Sequence, residues 1–196
     1  MQTPNVNNSL TVEPGRVAWY VTGRFYTDQK SRSFDVGYFP KIKGIEGNFF
    51  DCDTPDESSA WFTFYADKFT GTSIVNGDVS MGIYPPGEWH MYLADKPGGD
   101  FDDPSSFRQG TKIATFAREG VTGGMAIGAY SVSLLTFKLL ESVDFSFQGQ
   151  VYNLKDIFPL GVTQTGFGSG SLQPGLPSYS TIKCFAATAI TVGKDG

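Results

Sequence analysis

Charge is scarce in this chain: Asp, Glu, Lys and Arg make up 18% of it, against about a quarter in an average soluble domain. What charge there is does not cluster. The 15 basic residues are spread singly, with Lys41/Lys43 and Lys30/Arg32 the densest pairs, and the net charge is -5. A phosphate backbone is recognised by clustered Lys and Arg, so the sequence argues against a nucleic-acid partner.

Histidine occurs once, as His90, and cysteine twice, as Cys52 and Cys184 far apart. With one His, two distant Cys and no CxxC or HExxH spacing, a closed zinc shell is not expected. Any nucleophile–histidine arrangement would have to use His90, and no nucleophile-elbow motif accompanies it. The cysteines read as two unpaired thiols, Cys184 lying in a strand. No apolar run approaches the 18 residues of a membrane helix. The opening MQTPNVNNSL has neither the basic nor the apolar region of a signal peptide. Low charge and high glycine lean towards a mature extracytoplasmic form, with the cytoplasm as the alternative. No 20–50-residue repeat occurs.

Aromatics, by contrast, are abundant: 15% of the chain, with 17 Phe and 9 Tyr. The 24 Gly and 11 Pro are scattered as turn punctuation, which suits many short strands. Residues 1–15 are polar and read as a mobile N-terminal arm, leaving residues 16–196 as one β domain. Strands are expected over Arg16–Asp28, Ser33–Ile42, Ser59–Phe69, Trp89–Ala94, Thr111–Arg118 and Thr181–Val192. Asn76-Gly77 and Gln148-Gly149 read as hairpin turns. Met125–Leu140 is one long bent strand, or a strand passing into a short helix from Ser131. Pro159–Pro177, with its GFGSGS run, reads as a long irregular loop. Several strands carry large apolar residues on both faces. That pattern implies a single antiparallel β-barrel with a filled or ligand-holding interior and a covered exterior, the alternative being a two-sheet β-sandwich.

Three sets of residues are candidates for function. Glu88, His90 and Tyr92 share one strand face and offer carboxylate, imidazole and phenol in a row, an acid–base set. Trp61, Tyr65, Trp89, Tyr92 and Tyr130 are the candidate wall of an aromatic pocket, with Ala126, Gly128, Ala129, Ala186, Ala187 and Ala189 as small residues opposite. Asp95, Asp100, Asp102 and Asp103 crowd a Pro-Gly-Gly turn and offer hard oxygen ligands for Ca²⁺, without the ordered spacing of an EF-hand. The expected function is binding of a small apolar or aromatic ligand, extending to a cofactor-free isomerase or cyclase using one acid–base group. The alternative is a non-catalytic carbohydrate- or protein-binding module assisted by calcium. A homo-oligomer burying aromatics at a subunit interface is a third reading.

Overall fold

The computed structural model describes residues 11–30, 32–69, 72–77, 79–83, 87–127, 130–169, 176 and 178–193. Alternation of inward and outward side chains runs through β1 (Val17–Asp28), β2 (Ser33–Ile42), β3 (Phe62–Phe69) and β6 (Glu88–Leu93). It continues in β7 (Thr111–Ile127), β8 (Tyr130–Ser142), β11 (Val162–Ser169) and β12 (Tyr179–Thr191). Each of these strands pairs antiparallel with the next, and β12 pairs back to β1. The result is a closed, eight-stranded antiparallel β-barrel. Between β3 and β6 the chain makes a hairpin of β4 (Thr72–Asn76) and β5 (Val79–Ile83), and β5 pairs with the far half of β7. Asn76 pairs with Val79, so this turn is centred one residue later than Asn76-Gly77. Closure leaves no unpaired edge among the eight staves, and the sandwich alternative is set aside.

Inside, the lower two-thirds is packed with rings. Trp19, Phe39, Phe64, Trp89, Phe116 and Phe137 are buried, with the Phe64 and Trp89 centroids 4.3 Å apart and Trp89 stacked on Phe137 at 4.9 Å. The lower end is stoppered by two loops. One carries Ile45 and Phe49. The other carries the hairpin of β9 (Phe145–Phe147) and β10 (Gln150–Tyr152), followed by a helical turn α1 (Leu154–Ile157). The Gln148-Gly149 turn forms as expected, with Gln148 at φ +46° and Gly149 at φ +86°. The Gln148 side chain ties the loops together: its Oε1 accepts from Asn48 N–H at 3.0 Å and its Nε2 donates to Asn48 C=O at 2.8 Å. The last residues of the N-terminal arm join this end, with Val12 N–H donating to Ile157 C=O at 3.0 Å.

Outside, β1, β2 and β3 carry a second small core. Tyr26, Val36, Phe34 and Tyr65 face outward and are covered by Phe101 and Phe107 of the segment between β6 and β7. Tyr26 Oη donates to Phe101 C=O and Thr63 Oγ1 to Phe107 C=O, both at 2.8 Å. This strap is why strands of the barrel are apolar on both faces.

Two local expectations change. Pro159–Pro177 contains β11, a full stave. Gly166 and Gly168 face inward against β8 and β12: an added Cβ would meet Ala187 Cβ at 2.9 Å and Ser131 Oγ at 2.7 Å, respectively. These glycines are a packing requirement on a strand, which composition alone presents as a loop. The Ser131–Leu140 stretch is strand β8, with no helix; its outward face is exposed and apolar, which hides the alternation.

Candidate functional site in the upper barrel

Register fixes what looks into the barrel. Phe25 is paired with Lys183 on one side and Asp35 on the other, Asp35 with Ala66, and Ala66 with Trp89. Trp89 lies in the inner core, so this row points inward. By the same alternation Arg118, in step with Phe116, also points inward.

Asp35 and Arg118 meet across the lumen: Arg118 Nη2 donates to Asp35 Oδ2 at 2.8 Å, and each residue is 5% exposed. Their strands, β2 and β7, are separated by β3 and β6, so the pair bridges the interior above the aromatic core. Burial pushes the Asp35 carboxyl up to about 6, and the Arg118 charge and hydrogen bond offset only part of that. Asp35 Oδ1, an acceptor, has no hydrogen-bond partner among the described residues. Neither has Trp89 Nε1, a donor on the same row. Buried polar atoms are almost always paired, and two of opposite sense in one row call for an explanation.

Above the pair the inner surface changes character. Ser131 and Ser133 of β8 face Gly168 and Gly166 of β11, and these face Phe185 and Ala187 of β12. Ser131, Ser133, Gly168, Lys183 and Phe185 look inward yet are half-buried, in contrast to the sealed rings below. These residues are therefore partly accessible to solvent. The site combines an ion pair as floor, an ammonium group and two hydroxyls on the wall, and Phe25 and Phe185 as apolar sides.

Of the residues singled out in the sequence, Trp89 lies on this row and most of the others lie elsewhere. Glu88, His90 and Tyr92 do share one face, but it is the outer one. His90 Nδ1 is 3.2 Å from Thr115 Oγ1 and its Nε2 is 3.5 Å from Glu88 Oε2. Burial raises the Tyr92 phenol, as it does Tyr65, which moves both further from proton transfer near neutral pH.

The aromatic wall is divided: Trp89 points in, Tyr65 and Tyr92 point out, and Trp61 packs at the lower end. Tyr130 is 69% exposed on the outer face. These rings do not enclose one space. Of the small residues set against them, Ala187 and Ala189 face inward and Ala186 outward; Gly128 and Ala129 fall outside the described residues.

Asp95, Asp100, Asp102 and Asp103 belong to the strap. Asp100 Oδ1 accepts from Asp102 N–H, and Asp103 Oδ1 accepts from the backbone and hydroxyl of Ser105. These bonds shape the turn that seats Phe101 and Phe107. Among the described residues no three His, Cys, Asp or Glu side chains come together as a metal site. Both Cys52 and Cys184 are free thiols.

Asp35 and Arg118 carried a signal that alternation would have exposed. Asp35 is in phase with Gly37 and Phe39, and Arg118 with Ala114 and Phe116. A charged residue in phase with a strand's buried rings marks a buried charge that needs a partner inside the barrel. Comparison of the chain with protein-family models, with curated proteins and with solved structures gives no match.

Proposed function

We propose that the barrel binds a small, mainly apolar molecule bearing a hydroxyl group in its upper interior, with the hydroxyl at Asp35. The observation that carries this reading is Asp35 Oδ1: buried, inward-facing and without a hydrogen-bond partner above a floor of rings. A ligand hydroxyl donates to that oxygen, and Trp89 Nε1 is a second unpartnered polar atom on the same row. Phe25 and Phe185 flank the body of the ligand, and the small residues of β8 and β11 leave it room. Turnover, if the barrel isomerises or cyclises its ligand, falls to Asp35, whose raised carboxyl suits proton transfer near neutral pH. The His90 row is on the other side of the wall.

The test is titration of tryptophan fluorescence with 2-naphthol and with 2-methylnaphthalene, which match in shape but differ in the donor. Naphthol should bind about tenfold tighter, the effect of a hydrogen bond to a charged or polarised carboxyl at about 1.4 kcal/mol. Ser133→Phe, which fills the space, should abolish binding of both. Equal binding of the two probes, or undiminished binding to Ser133→Phe, would overturn the proposal.

A further inference from the structure

The outer surface opposite the strap has a composition unlike the rest of the molecule. On the upper parts of β8, β11 and β12 and the adjoining part of β1, the outward residues are aromatic, aliphatic, Thr, Ser, Ala and Cys. From Tyr130 to Thr136, Thr163 to Ser169, Cys184 to Ile190 and Tyr20 to Thr22, none that points outward is charged. Tyr130 and Phe167 are each 69% exposed, Leu134 50%, Tyr20 47% and Val132 44%. They adjoin one another: Phe167 lies between Val132 and Ala186, and Thr165 between Leu134 and Thr188, which neighbours Tyr20.

We propose that this face is where two copies of the chain associate as a two-fold homodimer. Each copy carries a net charge of -5, so like copies repel wherever their charged surfaces meet. This face lets them approach with no like charges opposed. Depletion of charge with enrichment of aromatics is also the composition of an interface core.

The shape fits the same occupant. Three staves of seven residues each and three residues of β1, at about 4.8 Å between staves and about 3.4 Å per residue, make an area on the order of 400 Å². Side-chain relief brings that towards the about 800 Å² each partner buries in a stable complex. The convex outer wall of a barrel offers no groove for a helix or peptide, whereas the staves of a second copy can pack along it. Phe167 beside the small Ala186 places a knob next to a hollow, which a two-fold axis can fit to each other. The dimer is independent of the ligand site, which opens inside the barrel.

Sedimentation velocity at micromolar concentration tests it. The wild-type protein should run at twice the chain mass of 21.3 kDa. Phe167→Lys and Leu134→Lys should each run as a monomer with an unchanged melting profile. Ile74→Lys, at a 48% exposed position on the β4–β5 hairpin, should remain a dimer. A wild-type monomer at 100 µM would overturn the proposal and assign the face to some other partner. So would a dimer that survives both Phe167→Lys and Leu134→Lys. Should Phe167→Lys fail to fold, Phe167→Gln gives the same reading without the charge.

Discussion

The lower and upper halves of the barrel are built on the same eight staves and could hardly be lined more differently. Along β8 the inward residues pass from Phe137 and Leu135 to Ser133 and Ser131; along β11 they pass from Val162 and Gln164 to Gly166 and Gly168. The lower set is buried, Phe137 and Val162 completely; of the upper set Gly166 is buried and Ser131, Ser133 and Gly168 are half-buried. Rings below make the barrel a solid object that needs nothing else to hold it together. Above, Gly166 and Gly168 fit closely against Ala187 and Ser131 but add little apolar surface, and the buried charge between the halves costs desolvation energy. A fold that could have filled its upper third with leucines did not. On the proposed reading, stability and ligand binding occupy different levels of one interior.

The largest expected effect tests that division directly. Phe64→Ala removes a ring in contact with Phe39 and Trp89 and should cost about 3–5 kcal/mol of unfolding free energy. Ser133→Ala, a few steps up the wall, should stay within about 0.5 kcal/mol of wild type. Urea unfolding measures both. A loss above 2 kcal/mol for Ser133→Ala would mean that the upper half is packed like the lower.

Next in size is the boundary itself. Arg118→Met leaves the Asp35 carboxyl buried without its counter-charge and should cost about 3 kcal/mol or more. Adding Asp35→Leu removes the stranded acid and should recover most of that loss, because apolar pairs replace buried ion pairs at little or no cost. The double variant should nonetheless lose its preference for 2-naphthol over 2-methylnaphthalene. Should the double variant be as unstable as Arg118→Met alone, the pair is a structural brace and the contrast between halves weakens.

How much of this was readable from the residues follows the same division. Strands with strong alternation, such as SAWFTFYADKF, declare themselves because rings on both faces have only a barrel to go into. The β11 stave does not, since its inward glycines are needed by Ala187 and Ser131, neighbours that no local rule can see. Rarity and acidic crowding single out GEWHMYLADKPGGDFDDPSS, a segment whose His90 lies on the outer face and whose loop seats Phe101 and Phe107 on the outside. Asp35 and Arg118 were hidden because their partnership spans 83 residues and the width of the lumen.

The smallest expected effect is a pH dependence that decides what the boundary is. Burial, opposed by the charge and hydrogen bond of Arg118, raises the Asp35 carboxyl from 3.8 to about 6 in the folded protein. Among the described residues, Lys183 on the same inward row is a second cationic group on that side. A raised carboxyl binds its proton more tightly folded than unfolded. The stability it contributes is therefore complete below pH 3.8 and is lost as pH rises towards about 6. Asp28 and Asp56 shift the opposite way, lowered by hydrogen bonds to Arg32 and to Ser58 and Ser59, so theirs is lost as pH falls. Comparing wild type with Asp35→Asn cancels those contributions. The wild-type advantage in urea unfolding should shrink between pH 4 and 6 by at most about 1.4 kcal/mol per pH unit, the limit for one proton, and stay level above. A difference that grows with pH over that interval would mean Arg118 holds the acid ionised. The floor would then be a salt bridge, and Asp35 could accept a ligand's hydrogen bond but not supply a proton.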